Sequence, residues 1–402
     1  MHPLAKADKA AFRPRRRSFL YALAGLVLAA CGSTSGDTSH NAPPPSAVIP
    51  TPPPQPAAPR IGLILPQTGQ AGEVGKALED AAELALFDLN ATNIELLPAD
   101  AGGSAATASG AVQNVIGGGA GVVIGPLGAT SVKAAAIEAR KRGVPLLGFS
   151  TDRSAAGSGV YLLGFMPDEQ ATAVIGYAAS TGLSRFGALI PVGAYGELVG
   201  SAFEVAVGAN GGTVVGVERY KSGSLQPTDS LRALLTPGPD GRPPVDALFV
   251  PEGGSALQQV LSTIAGIGFD PHRVRLLGTD QWSGSSLGSD PMSLGGWYAG
   301  PSPERFERFA GHFQSTYGHR PPRIAAQAYD AMTLAVLLAR QRAGFASAPA
   351  VLQGSDGFSG VDGLFRFRAD GTPQHGLAIL EVSAGGPRVI RPAPDSFGGQ
   401  GF

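Results

Sequence analysis

Gly284-Ser285-Ser286-Leu287-Gly288 is the stretch whose spacing suggests covalent chemistry, because G-x-S-x-G can set a nucleophilic serine on a tight turn between a strand and a helix. Its surroundings do not fit. Ser289-Asp290-Pro291 stands where the helix would have to begin, and 58 glycines in 402 residues make a chance match easy. His2, His40, His272, His312, His319 and His375 are scattered, with no H-E-x-x-H spacing and no second cysteine beside Cys31, so no metal site is expected. No G-x-G-x-x-G or P-loop cradles a phosphate, and no cofactor is implied. These residues read as a non-enzyme. The remaining candidates bind rather than react: the hydroxyls of Thr130, Ser131, Ser150 and Thr151, the ring of Tyr195 and the carboxylate of Asp280.

Short apolar runs that alternate with helical patterns must position them, which is the pattern of βαβ units and a parallel sheet. Ile61-Gly62-Leu63-Ile64-Leu65 reads as a buried strand ended by Pro66, followed by helical spacing over 74–89. Strands at 93–97, 121–124 and 145–149 alternate with helices at 107–116 and 131–142, forming one doubly wound lobe. After 161–165 a second series begins: helices at 169–181, 196–209, 229–235 and 255–266, with strands at 186–190, 213–219, 247–250 and 275–277. A strand at 295–299 leads back to helices at 304–317 and 324–344 over the first lobe. The runs 363–368 and 377–382, joined by Ala369-Asp370-Gly371-Thr372, read as a closing hairpin.

Ligands of open α/β sheets bind at the carboxyl ends of strands, where loops enter helices. Gly125-Pro126-Leu127-Gly128-Ala129-Thr130-Ser131 is such a loop. The N–H groups and positive dipole end of the helix it opens favour a carboxylate, whether or not Thr130 and Ser131 also cap that helix.

The N-terminus reads as an export signal over residues 1–30: Arg13, Arg15, Arg16 and Arg17, then an apolar run at 19–28 too short to cross a bilayer. Leu28-Ala29-Ala30-Cys31 resembles the lipobox of bacterial lipoproteins, which implies a lipid on Cys31. Arg16-Arg17-Ser18-Phe19-Leu20 resembles a twin-arginine motif, although paired arginines also occur in ordinary signals, and the export route stays open. Residues 31–59, rich in Ser, Gly and Pro, read as a disordered tether. Removing residues 1–30 takes six of 30 bases and one of 31 acids, leaving 24 against 30. That balance offers nucleic acid no footprint.

The body resembles the Leu/Ile/Val-binding, or type I, periplasmic binding protein family over about residues 60–390. The residues that carry the resemblance are Ile61 to Gly69 with Gly75, Ile124-Gly125-Pro126-Leu127, Gly143-Val144-Pro145-Leu146-Leu147, Ala194-Tyr195-Gly196 and Ala328-Tyr329-Asp330-Ala331. It implies an α/β type I periplasmic binding protein fold, two doubly wound lobes joined by three crossovers and closing on a ligand. Lobe 1 would take 60–167 with 283–354, lobe 2 would take 168–282 with 355–392, and 393–402 would be a tail. Hinges are expected at 165–168, 295–299 and 358–363. Ser150-Thr151-Asp152, after the strand at 145–149, would present its hydroxyls and carboxylate to the same crevice as Thr130 and Ser131, and the resemblance implies that Tyr195 offers its ring to the ligand and Asp280 holds its ammonium. Two positions depart from the amino-acid binders: Ala129 replaces a serine, and Asp152, in place of a threonine, would repel a ligand carboxylate unless a cation intervenes.

Two functions follow from this reading. The first is a lipid-anchored receptor on the periplasmic face of a membrane, delivering an amino-acid-like small molecule to the membrane subunits of an ABC importer. The second resembles the lipoprotein activators of penicillin-binding proteins and has a peptidoglycan synthase as partner. The long tether, the two departures and a tryptophan, Trp282, read as exposed favour the second; the lack of a helical domain before residue 60 counts against it.

Overall fold

A computed structural model describes residues 58–283 and 287–397. The expected signal, Cys31 and most of the tether lie outside the described residues, as do Ser285 and the last five residues of the tail.

In the first lobe, β1 (Arg60–Leu65), β2 (Glu95–Asp100), β3 (Val122–Leu127), β4 (Leu146–Phe149) and β5 (Val160–Leu162) form a parallel sheet in the order β2-β1-β3-β4-β5. Helices α1 (Gly72–Asp88), α2 (Ala105–Gly117) and α3 (Ala129–Arg142) connect the strands. The chain enters the second lobe through α4 (Pro167–Ser180). It then runs β6 (Arg185–Pro191), α5 (Ala194–Ala209), β7 (Thr213–Tyr220), α6 (Asp229–Leu235), β8 (Ala247–Phe249), α7 (Gly254–Gly266), β9 (Arg275–Gly278) and β10 (Trp297–Gly300). It returns through α8 (Pro303–Tyr317), α9 (Ala325–Ala339) and α10 (Ala348–Leu352), and ends in β11 (Phe358–Gly360), β12 (Gly363–Phe367), β13 (Pro373–His375), β14 (Ala378–Glu381) and β15 (Arg388–Arg391). The second sheet has the order β15-β14-β10-β9-β8-β6-β7.

The local reasons for these elements are visible in the sequence. Ser104 and Thr107 form a reciprocal cap at the start of α2. Pro167 opens α4 with Asp168 and Glu169 in its first turn, and Gly143, at φ 64°, ends α3 in the left-handed region after Arg140, Lys141 and Arg142. Each sheet is buried on both faces. Leu63, Leu65 and Ile124 meet α1, α8 and α9 on one side, and Ile64, Val123 and Leu146 meet α2 and α3 on the other. In the second lobe Ile190 and Phe249 pack with α4 and α5, and Leu189 and Leu248 with α6 and α7.

Three sequence expectations are corrected. The run at 377–382 does not fold back on 363–368. β12 pairs instead with β11 and β13 in a three-stranded antiparallel sheet, and β14 joins the second sheet between β10 and β15. The turn itself is present, with Arg368 N–H donating to the Thr372 carbonyl at 2.8 Å. The lobe boundaries also move. β10 belongs to the second sheet, parallel to β9, so the return to the first lobe falls after Gly300 rather than at 283. Phe365 and Phe367 bury themselves in the first lobe's core, so the last crossing comes after His375 rather than at 355. Finally, α3 starts two residues earlier than expected, and its N-cap is Gly128, at φ 90°, with no side-chain cap bond. Thr130 and Ser131 are therefore first-turn residues and not caps.

Two glycines hold equivalent places. A Cβ on Gly75 of α1 would collide with the Pro66 carbonyl oxygen after β1, and one on Gly196 of α5 with that of Pro191 at the end of β6. In an ordinary helix interior Gly→Ala stabilises by about 1 kcal/mol. Here Gly75→Ala and Gly196→Ala should each destabilise by about 2 kcal/mol or more, read as a lower urea midpoint at unchanged m-value.

Candidate functional site

On the first lobe the strand-end loops are tied together. Gly128 N–H donates to the Phe149 carbonyl at 2.9 Å, bringing the start of α3 beside the loop after β4. Because Gly128 offers no side-chain cap, the first-turn N–H groups of α3 keep their anion-binding capacity. Thr130 is exposed there and Ser131 is buried. Ser150, 6% exposed, accepts from the Asp152 N–H at 3.1 Å, and Thr151 beside it is exposed. Asp152 does not stand as a bare negative charge. Lys133, one turn into α3, pairs with it at 2.6 Å, and the Ser154 N–H and hydroxyl donate to it at 2.9 and 2.7 Å. Lys133 first and Ser154 next hold its carboxyl below the usual range. The cation that would have to answer the repulsion expected from Asp152 is Lys133, which the sequence reading did not name. Asp100, at the end of β2, fixes the loop after β1 in the same way, accepting from Gln67 N–H at 2.8 Å and from the Thr68 hydroxyl at 2.7 Å.

On the second lobe Tyr195 lies in the first turn of α5, half-buried, with its hydroxyl 3.4 Å from the Thr279 hydroxyl after β9. Burial pushes the phenol up to about 12, against the pull of Thr279 and Gln281. Beside it, Tyr220 donates to Glu252 at 3.2 Å. Glu252 follows β8 and is only 6% exposed, and among the described residues no lysine or arginine forms an ion pair with it. Burial, then the charge of Glu252, drives the Tyr220 hydroxyl upward, and the same charge acts on Tyr195. Sequence reading missed Glu252. Its signal was available: an acid in Val250-Pro251-Glu252-Gly253-Gly254, between a strand and a helix.

Asp280 points elsewhere. Its N–H donates to Gln170 of α4 at 2.8 Å, while its carboxylate takes the Ser283 hydroxyl and packs against Gly300. Burial pushes this carboxyl up, and Ser283 and Arg323 pull it back. Thr279 and Asp280 are adjacent, so the chain turns one toward Tyr195 and the other toward the strand that leaves the lobe. Trp282, expected to be exposed, is 2% exposed, with its indole N–H on the Val250 carbonyl at 3.2 Å. It is a core residue, filling the space beside Gly278 and Gly296. Around the G-x-S-x-G stretch, β9 ends at Gly278 and a 3₁₀ turn at Asp280–Trp282 follows it, while the described residues after the serines form another 3₁₀ turn at Leu287–Ser289.

Two lobes, each offering polar strand-end loops, define a binding protein. By sequence the chain matches the periplasmic binding protein family over residues 58–387, and it belongs to that family. Its fold is similar to that of a putative branched-chain amino acid ABC transporter protein from Rhodospirillum rubrum, at TM-score 0.74 and 21% identity over 83% of this chain and 100% of that one. An ABC transporter substrate-binding protein from Desulfitobacterium hafniense in complex with Leu gives 0.63 and 20% over 83% and 99%. A solute-binding protein from Rhodopseudomonas palustris in complex with 3,4-dihydroxybenzoic acid gives 0.62 and 20% over 83% and 96%. No curated protein sequence matches the chain.

If Lys133 is what holds Asp152 ionised, Lys133→Gln should raise the Asp152 carboxyl pKa toward the ordinary range, read by its NMR titration. An unmoved titration would show that Ser154 alone sets it.

Proposed function

We propose that this protein is a non-enzymatic, lipid-anchored solute receptor on the periplasmic face of a bacterial membrane. It captures an amino-acid-like small molecule and passes it to the membrane subunits of an ABC importer. The observation that carries the ligand class is Glu252, a buried carboxylate beside Tyr195 and Tyr220 without a cationic partner among the described residues. An unpaired buried charge is costly, so a site that keeps one is suited to a ligand that brings the opposite charge. On the other lobe, the uncapped start of α3 with Thr130, Ser131, Ser150 and Thr151 suits a carboxylate. A carboxylate on one lobe and an ammonium on the other describe an α-amino acid, with the Tyr195 ring covering its apolar part.

The solutes named for the similar structures, leucine and a hydroxylated benzoate, share the carboxylate and differ in the ammonium. Glu252 favours the first. Asp280 remains a candidate for the ammonium in this reading, although its carboxylate already holds Ser283. The synthase-activator reading loses two supports, because Trp282 is core and Lys133 answers Asp152. Cys31 would carry the lipid.

A thermal-shift screen of the purified protein against the amino acids, short peptides and benzoates tests this, since a ligand specific for the folded state raises the melting temperature. A saturable shift with an amino acid is expected. Glu252→Gln and Tyr195→Ala should each weaken it at least about tenfold, roughly 1.4 kcal/mol, with Asp280→Asn as the comparison that assigns the acid. A shift with benzoates alone, unchanged in Glu252→Gln, overturns the amino-acid assignment. Cys31→Ser should release the exported protein from the membrane fraction.

A further inference from the structure

Where the lobes join, the Arg323 guanidinium stands against two carboxyls, Asp362 and Asp280, and a third, Asp330, feels the charge of Asp362. Arg323, on the loop between α8 and α9, donates to Asp362 at 2.8 Å and lies 3.5 Å from the carbonyl of Pro301, where the chain returns from the second lobe. Its guanidinium lies over the Phe306 ring at 4.8 Å, and its Nε is buried without a hydrogen-bond partner among the described residues. Asp362 keeps 8% of its side chain exposed. The field of Arg323 also reaches Asp280 of the second lobe, beside Ser283 and Tyr298. Among the described residues Asp330 of α9 is hydrogen-bonded by the Val361 N–H, which donates to both its oxygens at 3.0 and 3.1 Å. Arg305 acts on Asp330 from a distance, itself bonded to the Ser359 hydroxyl and the Gly360 carbonyl at 2.6 and 3.3 Å. Tyr329 adjoins Asp330 in α9 but gives its hydroxyl to Asp88 at 3.0 Å.

Asp330 and Asp362 line a cavity of about 10 Å³, room for one water-sized sphere. The same cavity is walled by Leu163 and Phe165 of the first crossing and by His375 at the last. The His375 ring lies tilted against that of Phe165, centroids 4.1 Å apart, and its Nδ1 is buried without a hydrogen-bond partner among the described residues.

We propose that lobe opening is proton-linked through this set: a proton held between Asp330 and Asp362 keeps the segment before β12 seated on α9, and its loss loosens the hinge and opens the lobes. Asp330 and Asp362 line one cavity, with Arg323 bonded to Asp362 and Arg305 acting on Asp330 from a distance, and both cannot ionise cheaply in that enclosure, so the pair retains a proton at neutral pH. Arg323 contacts the return crossing and the strand leading to the last one while acting on Asp280 of the other lobe. Any rotation of the lobes therefore alters how its charge is shared, and by linkage the pH alters the rotation. The directions agree. Burial pushes Asp330 up to about 8 and Asp362 up to about 6, and both are higher folded than unfolded, so their stabilisation is present at low pH and lost as pH rises through 6 and 8. Burial pushes His375 down to about 3, so it is neutral throughout that window and adds no charge to the cavity.

The test needs no solute, so its outcome is independent of the receptor reading. Spin labels at Ile137→Cys on α3 and Val205→Cys on α5, both exposed, in the full chain carrying Cys31→Ser, report the separation of the lobes by pulsed EPR. The separation should lengthen as pH rises through 6 to 8. Asp330→Asn, which keeps an acceptor for Val361 and cannot ionise, should hold the low-pH separation throughout. Arg323→Lys keeps the charge without the planar fork, so it should move the midpoint to higher pH. A separation constant with pH, an Asp330→Asn response equal to the parent's, or an Arg323→Lys midpoint that does not move would each overturn the proposal.

Discussion

At the start of α1 and of α5, a helix's first turn lies against the carbonyl of the proline that ends the strand before it, at a distance only glycine permits. Gly75 meets Pro66 there, and Gly196 meets Pro191. This approach fixes how each helix leaves its sheet and therefore which way its first residues look. Tyr195 is half-buried next to Thr279 because α5 begins in that position. On the first lobe, Gln67 and Thr68 are held between β1 and α1 by Asp100. A methyl group at either glycine would push the helix off its strand, and the loops that present the site would move with it.

The site shows how charges are disposed of in such loops. Asp152 and Asp100 are satisfied locally, by Lys133 and by backbone and hydroxyl donors, and so stay ionised. Glu252 has a phenol and, among the described residues, no ion-pair partner. Asp330 and Asp362 are crowded, and burial dominates both. The first kind fixes loops, the second suits a cationic group from outside, and the third places proton equilibria where the chain passes between lobes. Arg153 with Asp168 and Arg368 with Glu169 join first-lobe segments to α4 across the same junction.

Much of the fold was legible in the residues. The strand 61–65, the helix after Gly72 and the alternation through the second lobe follow from apolar runs of four to eight residues set against helical spacing. The helix Asp229–Leu235 has the bounds its pattern gives. What failed involved partners distant in the chain. Leu377 to Val382 carries a strand's composition whichever sheet it joins, and only burial of Ile379 and Leu380 against β10 and its helices selects the second lobe. Trp282 looked exposed beside Asp280 and Gln281, yet the glycines at 278 and 296 leave room for its ring.

The sequence by itself determined the class of protein: two α/β series with polar loops at strand ends. Those features rest on local periodicity and composition, which a chain carries without folding. Only the tertiary structure decided which acid adjoins Tyr195, because Asp280 and Glu252 both follow a strand and differ in the direction their segments turn them. That direction is set by Gln170, Ser283 and Gly300 around Asp280 and by Tyr220 beside Glu252, residues 20 or more positions away in most cases.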